Sequence, residues 1–143
     1  MKLTNTRIMK RKSGMTLLEL TVVILVLLSL ISILFVGARA WKKGSDRAAN
    51  IMNLRNAQQA VRGHANMRDL RETTGVCTEA DIYGTLGDGV GGYLRKPTPP
   101  AVDITTYTGG GTVPIIGTLW LTATYTGTGL VDYAPDAALI TAW

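Results

Sequence analysis

The feature that most constrains this chain is the segment from Met15 to Ala38, MTLLELTVVILVLLSLISILFVGA, in which Glu19 is the single ionisable side chain. The nineteen residues from Leu20 to Ala38 are uncharged. A helix rising ~1.5 Å per residue crosses the ~30 Å hydrocarbon core of a bilayer in ~20 residues, so the segment reads as a transmembrane helix and not as the buried helix of a compact domain. The charge distribution agrees. Of 15 Lys and Arg, five (Lys2, Arg7, Lys10, Arg11, Lys12) precede Ser13, where there is no acidic residue, and the rest of the chain carries ten basic against ten acidic groups. The formal +5 therefore belongs to the leader alone, and Lys10, Arg11 and Lys12 hold that end at the cytoplasmic face.

The same count removes several classes of function. A general nucleic-acid binder needs a basic stripe on its folded body to displace counterions from phosphates, and no surplus exists beyond the leader. One cysteine, Cys77, forms no internal disulfide and no CxxC motif, and one histidine, His64, excludes HExxH zinc chemistry. No GxSxG, Walker A or GxGxxG pattern occurs, so the reading is of a non-enzymatic protein without a cofactor. His64 reads as a surface or packing residue and Cys77 as a packed thiol.

A cleaved secretory signal has a shorter apolar region and a small-residue cleavage site, which Gly37-Ala38 matches poorly. A plain signal anchor explains the topology but not Glu19, because a carboxylate within an apolar helix costs a few kcal/mol, roughly 2.5–3.5 at the centre, unless something compensates it. An intramembrane ionisable residue is a functional hypothesis, and the natural compensation is a positive charge from a partner.

Lys10-Arg11-Lys12-Ser13-Gly14 followed by Met15-Thr16-Leu17-Leu18-Glu19-Leu20 resembles the prepilin signature of type IV pilins and type II secretion pseudopilins. The resemblance implies cleavage by prepilin peptidase between Gly14 and Met15, methylation of the new amino terminus at Met15, and an assembly salt bridge between Glu19 and the Met15 amine of a neighbouring subunit. Methionine stands where phenylalanine is more usual. A freed amine with a reference pKa near ~7.7–8.0 is mostly protonated at neutral pH, so such a pair neutralises two charges in an apolar setting. The partners implied are the chain itself as a helical homopolymer, the peptidase, the assembly machinery of the inner membrane and, before assembly, the lipid bilayer, with no specific nucleic acid. Implied too are location in the cytoplasmic membrane with the C-terminal part outside the cytoplasm, then an extracellular pilus or a periplasmic pseudopilus. The reading is of a structural subunit of a type IV pilus-like filament, with a pseudopilin of a type II secretion system as the alternative and an unprocessed single-pass membrane-anchored binding protein ranked behind both.

Beyond Arg39, apolar or small residues at Trp41, Ala48, Ile51, Leu54, Ala57, Val61, Ala65 and Leu70 recur at helical spacing. Arg47, Asn50, Arg55, Gln59, Arg62 and Asn66 are assigned to the opposite side. Residues 16 to about 73 are expected to form one helix of ~58 residues, roughly 87 Å long, stopped at Gly75. Gly37, the one backbone breaker inside the apolar half, is the candidate for a bend.

From Gly75 the composition changes: 12 of the 16 glycines and all five prolines follow. Strands are expected at 102–108, 113–116, 117–126 and 138–143, with Gly109-Gly110-Gly111 as a turn and residues 91–100 as a proline-bound loop. Trp120, Trp143, Tyr107, Tyr125 and Tyr133 read as core or interface residues more readily than as a ligand platform. Asp132 and Asp136 invite comparison with a calcium loop, although two carboxylates do not supply six to eight oxygens. The expected fold is α+β, a long N-terminal helix with an apolar first half and an amphipathic second half packed on a small antiparallel sheet. The expected divisions are a leader at 1–14, a membrane or filament-core segment at 15–38, an amphipathic helix at 39–74 and a sheet domain at 75–143.

Overall fold

A computed structural model describes Gly14 and residues 16–143. The fold is α+β, with a long helix α1 (Leu17–Arg68), a short helix α2 (Glu79–Tyr83), strands β1 (Ile104–Thr108) and β2 (Thr122–Tyr125), and two further short helices, α3 (Gly129–Tyr133) and α4 (Ala137–Ile140). The chain divides into two units at Arg39–Ala40.

In the first unit every described residue of α1 is exposed, and the helix is long and apolar enough to cross a membrane. Its few hydroxyls are satisfied locally. Thr21 Oγ1 donates to the Leu18 carbonyl, Ser29 Oγ to Val26 and Ser32 Oγ to Leu28, each at 2.8 Å, so none of the three needs water as a partner. Gly37 sits inside uninterrupted helix with open space around it.

In the second unit α1 supplies one wall of the core through Leu54, Ala57, Val61 and Ala65, spaced three or four apart as a buried helical stripe requires. Against it lie Ile82 and Tyr83 of α2, Ile104 and Tyr107 of β1, and Val113, Trp120, Leu121, Tyr133 and Trp143. Trp41, expected on this inner face, is 79% exposed, and Ala48 is exposed as well. Asn50, assigned to the outer face, is fully buried.

The helix also stops earlier than Gly75. Asp69 takes a left-handed conformation (φ 52°), and the Leu70 amide donates back to the Ala65 carbonyl at 2.9 Å, the six-to-one bond of a Schellman ending. Leu70 folds back against the core and completes the hydrophobic contact of that motif. Gly75 serves instead the tight connection that follows, where a Cβ would lie 2.7 Å from that of Leu70.

The sheet is smaller than expected. Strands β1 and β2 pair antiparallel, Tyr107 opposite Ala123 and Thr108 opposite Thr122, with an irregularity between Ile104 and Thr106. An isolated bridge joins Val76 to Thr112. Residues 113–116 form no strand: Val113 still donates to the Gly75 carbonyl at 2.8 Å and accepts from the Thr73 amide at 2.9 Å, but Pro114 beyond it lacks an amide to donate. Of 117–126 only Thr122–Tyr125 is strand, because Gly117 turns the chain (φ 87°) and Trp120 and Leu121 are both buried, which alternation along a strand forbids. The expected terminal strand 138–143 is instead helix α4 and a turn. Ala-Ala-Leu-Ile is a short apolar run that suits either state by composition, and it closes as helix through the Leu139 and Ile140 amides donating to the Asp136 carbonyl, with Arg47 bonded to the Asp136 carboxylate. The proline-bound loop occurs where expected, whereas Gly110 and Gly111 take positive φ after β1 but join it to no second strand, 113–116 being none.

Candidate functional site

The first candidate is the start of α1. Lys10, Arg11, Lys12 and Met15 lie outside the described residues, so the geometry begins at Gly14, Thr16 and Glu19. Thr16 is the N-cap: its amide donates to Glu19 Oε2 at 2.9 Å, its hydroxyl donates to the same oxygen at 3.2 Å, and the Glu19 amide donates to Thr16 Oγ1 at 3.3 Å. This is a reciprocal capping box, satisfying two backbone donors that a helix start otherwise leaves open. The carboxylate also sits in the first turn, where the helix dipole favours negative charge.

Thr16 is legible in the sequence as the first member of Thr-x-x-Glu, a pattern that the cost of a lone carboxylate does not bring out. Its consequence is specific. Glu19 is held by donors of its own chain, and a positive partner is an addition to that arrangement. The capping box fixes the carboxylate's direction but does not neutralise its charge.

The second candidate is the face of α1 between Lys43 and Asn50. Lys43 Nζ meets Asp132 Oδ2 at 2.9 Å and Arg47 Nη2 meets Asp136 Oδ1 at 3.1 Å. Bonding to the Lys43 ammonium, then to Thr128, holds the Asp132 carboxyl below its usual range, and the same pair raises Lys43. The two aspartates are thus ion-paired to separate cations, and among the described residues no group of three His, Cys, Asp or Glu side chains converges as a metal site would need.

One turn further along, Asn50 makes three bonds from a fully buried position. Its Nδ2 donates to the Tyr133 carbonyl at 2.9 Å and to the Tyr125 hydroxyl at 3.0 Å, and its Oδ1 accepts from the Tyr107 hydroxyl at 2.7 Å. Gln58 does similar work two turns on, donating to the Thr118 carbonyl and accepting the Trp120 amide. The aromatic residues considered as a platform are accordingly inside: Trp120, Trp143, Tyr107 and Tyr133 are buried, and Tyr125 is half-buried. They are core.

His64 is buried edge-on to the Tyr93 ring, centroids 5.5 Å apart, as a packing residue. Cys77 is fully buried, and that burial pushes its thiol up to about 11. Nothing in this setting favours the thiolate that reactivity requires. No family model, curated protein or solved structure matches the chain.

Proposed function

We propose that this chain is a structural subunit of a type IV pilus-like filament, cleaved between Gly14 and Met15 and polymerised through its N-terminal helix. The observation that carries the reading is the joint motif: Lys10-Arg11-Lys12, then Gly14-Met15-Thr16, two leucines and Glu19, directly before nineteen uncharged residues. The apolar half of α1 is exposed throughout, and a bundle of equivalent helices would bury it as a bilayer does before assembly. Within that bundle Glu19 pairs with the Met15 amine of a neighbour.

The capping box sets the test. Glu19→Gln keeps an oxygen for the Thr16 donors and removes the charge, whereas Glu19→Leu removes both. Filament yield in the native cell, with membrane insertion monitored separately, is expected to fall in both variants while insertion persists. Normal assembly of Glu19→Gln would reduce Glu19 to a helix cap. Intact mass of assembled material is expected to start at a methylated Met15, and a chain still carrying Met1 would end the processing claim.

A further inference from the structure

The filament reading leaves open how the folded bodies touch, and two features of the second unit supply complementary surfaces. Arg55, Gln59 and Arg62 line one side of a cavity of about 350 Å³ whose other wall is Ile116, Ala142 and Trp143. Arg62 is occupied: it donates to the Trp143 carbonyl at 3.1 Å and approaches Glu72 at 3.7 Å. Arg55 lies over the Trp143 ring at 5.5 Å and makes no ion pair among the described residues. The cavity thus offers one uncompensated guanidinium, an adjacent amide and an apolar wall.

The matching surface is the loop after α2. Leu86 is 86% and Val90 76% exposed, and between them Asp88 is exposed and likewise makes no ion pair among the described residues. The loop is held in shape by Glu79, which bonds Lys96 and the Gly109 amide, and by the Gly89 amide donating to the Tyr83 carbonyl at 2.9 Å. An acid flanked by two bare aliphatic side chains is what a cationic pocket with an apolar wall accepts.

The two surfaces cannot meet within one chain. The loop's return arm, Leu94 to Pro97, lines a small cavity with Asn53, Asn56 and Ala57, whereas the cationic cavity opens beside Arg55 and Gln59. Residues two apart on an α-helix are turned by about 200°, so the paired positions 53 and 55, and 57 and 59, look in opposite directions. Complementary patches on opposite sides of a subunit make a heterologous contact, which propagates from copy to copy instead of closing a pair.

We propose that the Leu86–Val90 loop of one copy docks in the Arg55 cavity of the next, Asp88 pairing with Arg55. This rests on the filament reading. The test is charge exchange in the full-length chain. Arg55→Glu and Asp88→Arg each lower filament yield by about tenfold or more, and the two together restore it to within about twofold. Near-UV circular dichroism of each variant confirms an intact core. In assembled filaments, Gln59→Cys with Val90→Cys, which keeps both Arg55 and Asp88, gives a ladder of oxidised multimers, and either alone gives none, the buried Cys77 contributing no background. Yield lost in Arg55→Glu but not regained with Asp88→Arg assigns the cavity to another occupant and overturns the contact. Abundant filaments without a ladder overturn it alone, and a native chain that forms no filaments overturns the filament reading with it.

Discussion

Asn50 is the residue whose loss should reveal how the body is held together. Its side chain is fully buried and makes bonds of 2.9 and 3.0 Å through Nδ2 and 2.7 Å through Oδ1, to three separate places in the second unit. In Asn50→Ala the Tyr133 carbonyl loses its side-chain donor, and the Tyr107 hydroxyl keeps only the weak contact from Asn53 at 3.4 Å. Tyr125, half-exposed, turns to water. Two buried groups left without good partners, at about 1–3 kcal/mol each, give an expected loss of about 2–6 kcal/mol. For a domain of this size a kcal/mol moves the melting temperature by about 4–8 °C, so the shift is at least about 8 °C downward and of order tens of degrees at the upper end. The measurement is a near-UV circular dichroism melt of the full chain in detergent, with the exposed Asn66→Ala as control. Surface changes stay within about 0.5 kcal/mol, and an Asn50→Ala melt inside that margin of the control would refute a polar clamp at this position.

Two further outcomes follow from the body's geometry. In Gly92→Ala the new Cβ would lie 2.5 Å from the Gly84 nitrogen and 2.6 Å from the Ile82 carbonyl oxygen, so chemical denaturation should show a loss of about 1–3 kcal/mol, with no loss telling against this close backbone approach. On acidification, Asp132 is held low by Lys43 and then Thr128, Asp81 by Thr78, and at Glu79 burial pushes upward but is outweighed by Lys96 and the Gly109 amide. Each carboxyl sits below its unfolded value of about 3.9–4.3, so its contribution is complete above that range and lost as pH falls through the folded value. Melts should steepen their decline below about pH 4, and less so in Asp132→Asn; equal slopes would contradict the Lys43 pairing.

The helix and its two halves were legible because length, charge and periodicity act locally. Asn50 was misplaced by residue type, although its spacing to Leu54, Ala57 and Val61 is that of the buried stripe, and a polar residue on such a stripe signals a bonded core position. The capping boxes at Thr16–Glu19 and Thr78–Asp81 are equally legible as Thr-x-x-acid patterns, and the first marks where Glu19 finds its nearest donors. Helix α4 was not legible. Four apolar residues carry no decisive period, and the amide bonds that close them, Leu139 to Asp136 and Thr141 to Ala137, leave no mark in residue type. Asp69 ended the helix before Gly75 because a left-handed residue with a hydrophobic follower suffices, glycine or not.

Lys43, Arg47 and Asn50 occupy one face of α1 a turn apart and reach Asp132, Asp136 and Tyr133 in the same short stretch. No residue of α1 before Asn50 is buried. Up to that point, therefore, traction reaches the body through charged side chains and not through packed carbon. A pull along the helix axis shears the three contacts together, whereas a sideways pull meets them one after another, Lys43 first. Salt weakens the first two and leaves the third, so the force that starts to peel the helix, which meets Lys43 alone, should fall with ionic strength more steeply than the force that slides it, of which Asn50 bears a share that salt does not touch.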